Sequence, residues 1–170
     1  METRKYYDEF ETIVGDILTH TEFQKLKKID HHGNGLFEHS VAVGYYSYRV
    51  AKMLGMDCHS VARGATLHDF FVESWHGKVK TEKGFKRIKE MHGFSHPKTA
   101  LENAEKYFDI DEKQADMIVK HMFPLTIVPP MNLGSWVVTA VDKCVATQEL
   151  VFRKTQPIKK LKRLMSRVQY

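Results

Sequence analysis

The stretch Leu67-His68-Asp69-Phe70-Phe71 constrains the fold more than any other. Val61, Ala65, His68 and Val72 recur at helical spacing, which turns His68 toward the apolar side of a buried helix. A helix advances about 100° per residue, so Asp69 emerges at the edge of the same face. An imidazole and a carboxylate driven together toward a core cost free energy unless something satisfies them. A bound metal ion does so. A hydrogen-bonded structural pair is the alternative.

The 170 residues suffice for one domain around a single core. Apolar content of 42% and charged content of 28% are ordinary for a soluble globular protein. No apolar run approaches the roughly 20 residues that a membrane helix needs, and no membrane partner is expected. The first ten residues, METRKYYDEF, lack the apolar centre of a signal peptide. Cys58 and Cys144 form neither a disulfide framework nor a CxxC motif, and are expected to pack as small apolar residues. The protein is expected to be cytoplasmic. The net charge of +5 is unevenly spread. Residues 151–170 hold seven basic residues and no acidic one, so residues 1–150 carry about −2.

The expected fold is all-α, a single compact domain of six to eight helices. Phe10, Ile13, Val14, Ile17 and Leu18 share one face of a helix over 5–19, and a short helix is expected over 22–29. Asp30-His31-His32-Gly33-Asn34-Gly35 marks a loop. His31 and His32 are exposed loop residues there, or ligand or substrate contacts. In a helix over 36–54, His39, Val43, Tyr46 and Val50 point inward, and Gly55 stops it. Asp57 or Ser60 starts the next helix, which carries His68 and Asp69. From 74 to 94 the periodicity fails among lysines, Arg87 and three glycines. A loop of that length is either functional, arching over a site and offering cations to an anionic substrate, or simply solvated.

His96-Pro97 opens a further helix with His96 at its N-cap and Ala100, Leu101, Ala104, Tyr107 and Phe108 on its buried side. Asp111 caps the next, with Ala115, Ile118, Val119 and Met122 inward and His121 near its end. Pro124, Pro129 and Pro130 force an irregular connection. The last core helix, over 135–152, sets Trp136, Val137, Ala140, Val141, Cys144 and Val145 beside Asp142. Residues 1–152 are read as the domain. Residues 153–170 are read as a basic amphipathic helix, packed on the domain or on a partner such as a second copy. No internal repeat, low-complexity tract or β-hairpin signal is present.

The ordered set His39, His68-Asp69, His96, His121, Asp142 resembles the metal ligands of the HD-domain superfamily of phosphohydrolases, over about residues 36–149. The resemblance implies one ion on His39, His68, Asp69 and Asp142. His96 and His121 fall where binuclear members carry two more histidines, so it implies two divalent ions bridged by Asp69. Imidazole and carboxylate suit iron, manganese, zinc, cobalt or nickel, and magnesium less selectively. The implied reaction is hydrolysis of a phosphate ester or pyrophosphate by a metal-activated bridging hydroxide, with His68 and Asp69 at its heart. The implied partner is a phosphorylated small molecule, with a nucleotide favoured over nucleic acid.

The pattern also departs from some relatives. Binuclear HD-GYP phosphodiesterases often carry a lysine three residues after the pair's aspartate, where this chain has Val72, and the GYP motif is absent. Arg63, Arg87, Lys98, Lys143 and His32 are the candidate substrate contacts. The ligand pattern also looks like that of HD hydrolases that split diadenosine tetraphosphate. Two other readings stay open: a non-catalytic HD domain that senses a nucleotide or metal, and an RNA-binding or nuclease protein using the basic tail.

Overall fold

The computed structural model describes residues 2–31, 34–71 and 96–151. Among them are seven α-helices: α1 (Glu2–Thr19), α2 (Thr21–Gln24), α3 (Leu36–Met53), α4 (Cys58–Leu67), α5 (His96–Tyr107), α6 (Glu112–Lys120) and α7 (Leu133–Val151). The fold is all-α, as the periodicity predicts. The expected loop over 74–94, with Arg87, lies outside the described residues, as do His32 and the basic tail over 153–170.

Helix α3 is the centre. It packs chiefly on α4 and α7, while α6 closes against both α4 and α7. Helix α1 lies on α4, and α5 on α6. Burial of α3 is nearly all round, from Leu36 and Phe37 through Val41, Ala42, Val43 and Tyr45 to Tyr48 and Ala51. Its approach to α4 is close because Gly44, which lacks a side chain, sits against Thr66. Gly64 does the same between α4 and α6, where a Cβ would fall 2.7 Å from Met117 Sδ.

Local sequence sets the ends. Gly55, at φ 66°, ends α3 with Met56 N–H donating to the Ala51 carbonyl at 2.9 Å and Gly55 N–H to Lys52 at 3.4 Å. Asp57 caps α4 by accepting from Ser60 N–H, and Asp111 caps α6 by accepting from Gln114 N–H. Asn132 accepts from Ser135 N–H at 2.9 Å, so α7 begins at Leu133, two residues before the expected start. Helix α5 begins at His96 itself.

Four expectations need correction. The segment expected as one helix over 22–29 is α2 followed by a 3-10 turn, Lys25–Lys28. Asp30–His31 and Asn34–Gly35 pair as two antiparallel strands, each two residues long. Strands that short have no alternation to leave in the sequence. In α6 the buried residues are Gln114, Met117 and Ile118, while Ala115, Val119 and Met122 are half-buried. In α7, the expected Val137 and Val145 are buried beside Asp142, together with Gly134, Ser135, Val138, Thr139 and Glu149. Trp136, Ala140 and Cys144 are exposed there, and Cys58 is only half-buried. Helix α7 is apolar on nearly every side, so periodicity could not choose its inner face.

Candidate metal centre

The sequence places the His-Asp pair inside a helix, but α4 stops one residue short of it. His68 is the C-cap of α4. The chain then turns, with Phe70 N–H donating to Leu67 O at 3.1 Å and Phe71 N–H to Asp69 O at 2.8 Å. A helix end has carbonyls without intrahelical partners. His68 Nδ1–H takes one of them, Ala65 O, at 2.8 Å. His121, the C-cap of α6, repeats the device on Ile118 O at 2.6 Å. A carbonyl only accepts, so Nδ1 carries the hydrogen in both rings and Nε2 is left to face the centre.

The turn is pinned from both sides. Phe70 is fully buried, with its ring 5.5 Å from Phe23, which lies 5.5 Å from Phe37. Asn103 of α5 donates to the Phe70 carbonyl at 2.9 Å. Asp69 is thereby held between two sets of nitrogens. Its Oδ2 lies 3.5 Å from His68 Nε2 and 4.0 Å from His39 Nε2. Its Oδ1 lies 3.4 Å from both His96 Nε2 and His121 Nε2. Asp142 Oδ1 completes the first set, 3.2 Å from His39 Nε2 and 3.6 Å from His68 Nε2. His96 Nε2 and His121 Nε2 are 3.3 Å apart.

These spacings suit a cation. Donors around one ion at about 2.1 Å lie roughly 3.0–3.5 Å from one another. Apart from the His39 Nε2–Asp142 Oδ1 hydrogen bond at 3.2 Å, the N–O pairs are longer than the usual hydrogen-bond separation of about 2.9 Å. His68 Nε2 and Asp69 Oδ1 are buried with no hydrogen-bond partner among the described residues. His39, His68 and Asp142 form one group that could hold an ion, and His68, Asp69 and His121 another; every member is buried. The donor set, nitrogen with carboxylate oxygen, fits a divalent transition ion.

Without a metal, the charges lean on one another. Burial opposes charge on His39, but hydrogen bonds to Asp142 and Glu149 outweigh it and raise its pKa to about 10. Burial likewise opposes charge on His121, and Asp69 overrides it upward. Burial favours neutral Asp69 and Asp142, yet the surrounding histidines hold both carboxyls well below the usual range.

Glu149 escapes the sequence reading. It is buried, and its Oε2 accepts from His39 Nδ1 at 3.0 Å. One signal was available, because Glu149 lies seven residues beyond Asp142, two turns along the same helix face.

The described candidate substrate contacts differ in placement. Arg63 forks onto Asp16 at 2.7 and 3.0 Å and donates to Ile13 O at 3.2 Å, tying α4 to α1. Its guanidinium is thus committed inside the fold. Lys98 is exposed on α5, 3.7 Å from Glu102. Lys143 Nζ donates to His121 O at 2.8 Å and lies 4.0 Å from Asp142 Oδ2, beside the centre. Burial lowers its pKa.

No helix among the described residues is long and apolar enough to cross a membrane. No curated protein and no solved structure gives a match to the chain. The family model for the HD domain matches residues 36–147, a span that holds His39, the His68-Asp69 pair, His96, His121 and Asp142. Members of that family are mostly metal-dependent hydrolases. With two thirds of its length matched, this chain belongs to the HD domain family.

Proposed function

We propose that the protein is a metal-dependent phosphohydrolase that holds two divalent ions and cleaves a phosphate ester or pyrophosphate bond of a nucleotide. The observation that carries this reading is Asp69, whose Oδ2 faces His68 and His39 while its Oδ1 faces His96 and His121. His39, His68, Asp69 and Asp142 would hold one ion, and Asp69, His96 and His121 the other. Ions so held supply Lewis acidity toward a phosphoryl group and toward water near neutral pH.

The chain's own residues prepare the site. Phe70 and Asn103 fix the turn that carries Asp69, so the bridging carboxylate needs no reorganisation. The Nδ1–H bonds of His68 and His121 to helix-end carbonyls fix the tautomer that presents Nε2. His96 has the most exposed side chain of the six ligands, 15%, which supports substrate approach from the α5 side. Lys143, beside Asp142, places a cation where a phosphate oxygen is attracted.

The test is turnover of a panel of nucleoside monophosphates, cyclic nucleotides and dinucleoside polyphosphates by protein loaded with manganese, iron or zinc. Release of phosphate or nucleotide that stops on chelation is expected. Saturable nucleotide binding with no turnover under any of these ions would instead favour a non-catalytic sensor.

A further inference from the structure

Three buried imidazoles face the centre through Nε2, and each needs an acceptor for its Nδ1–H. His68 and His121 stand at helix ends, where free carbonyls supply it. His39 is the fourth residue of α3, where the carbonyls behind it are already bonded along the helix. It therefore needs an acceptor from elsewhere. Glu149 supplies one, reaching across from α7 with its Oε2 3.0 Å from Nδ1. We propose that Glu149 is a positioning residue of the metal centre, locking the His39 tautomer and ring and lending negative charge to that ligand.

Burial sharpens the point. Glu149 is 3% exposed, and its Oε1 is buried with no hydrogen-bond partner among the described residues. A carboxylate half-satisfied in a core is costly as mere packing, where an apolar side chain would serve better. Its cost is offset if a cation on the far side of the same ring is compensated through it. Among the described residues Glu149 touches His39 of the candidate ligands, so it acts on the ion set of His39, His68 and Asp142 and leaves the His96–His121 set alone.

The inference rests on the reading of the site as a metal centre, and the experiment separates the two. Zinc affinities of the full-length protein are resolved by chelator competition for the wild type and Glu149→Gln. The glutamine keeps an acceptor oxygen but removes the charge. One of the two zinc affinities should fall by roughly 10–100-fold while the other is unchanged. Two unchanged affinities, or an equal fall in both, overturn the role of Glu149. A wild type that binds no zinc overturns the metal centre itself. Should Glu149→Gln not fold, nitrogen NMR of the zinc-loaded wild type decides. His39 must bind zinc through Nε2 with a hydrogen on Nδ1; the reverse arrangement refutes the inference.

Discussion

Asp69 is the residue on which the others converge. Its two oxygens serve separate sets of nitrogens, so removing it should undo both. Asp69→Ala is expected to lose both ions and all hydrolysis. Elemental analysis checks this, and wild-type metal content in a folded Asp69→Ala protein would refute the bridging role. His121→Ala removes a ligand of one set only, so one ion should remain per chain; two would contradict the assignment. Circular dichroism must accompany both variants, because ligands left buried without a partner also destabilise. The His-Asp pair was legible as sequence because polar residues interrupt an apolar helical pattern. Glu149 was not, since a lone glutamate near a helix end reads as surface until the neighbouring helix is in place.

Helix ends do the positioning that helix interiors cannot. The α4 C-terminus orients His68, the α6 C-terminus orients His121, and Phe70 fastens the turn between α4 and the aromatic core. Phe70→Ala should cost about 3–5 kcal/mol of stability in chemical denaturation and should lower metal affinity, because it frees the turn beside Asp69. Unchanged affinity would show that the turn is held by other means. Arg63 belongs to this scale too, as the tie from α4 to Asp16 of α1. Arg63→Ala should cost roughly 1–2 kcal/mol, because Asp16 is half exposed but Arg63 is largely buried and also loses its bond to Ile13 O, and should leave metal content intact. Despite a desolvation penalty, Arg63 lowers the pKa of Asp16 below its usual 3.8. That stabilisation is therefore present above pH 3.8 and lost as pH falls through the lowered value. The difference between wild type and Arg63→Ala should shrink over that acid range, and a difference that persists there would refute the pairing.

At the scale of the whole molecule, five elements distant in sequence meet at one point, so an ion held there would couple its binding to folding. An ion that binds only the folded chain stabilises it by about 2.7 kcal/mol when present at 100 times its dissociation constant. The melting temperature should rise on adding manganese or zinc and fall on chelation, and Asp69→Ala should abolish that response. Periodicity made the helices legible, and the resemblance of six ordered polar residues to the HD-domain ligand pattern made the candidate centre legible. It could not give the inward face of α7, whose residues Trp136, Ala140 and Cys144 look like core but lie outside. Nor could it show that α4 ends before His68, because the apolar pattern runs on through Phe70 and Phe71 into a turn. The most direct test of the central claim is the metal content of protein purified without chelator, measured by elemental analysis. Two divalent transition ions per chain are predicted. One per chain would contradict the paired centre, and none, with no uptake of manganese, iron or zinc, would contradict the metal reading altogether.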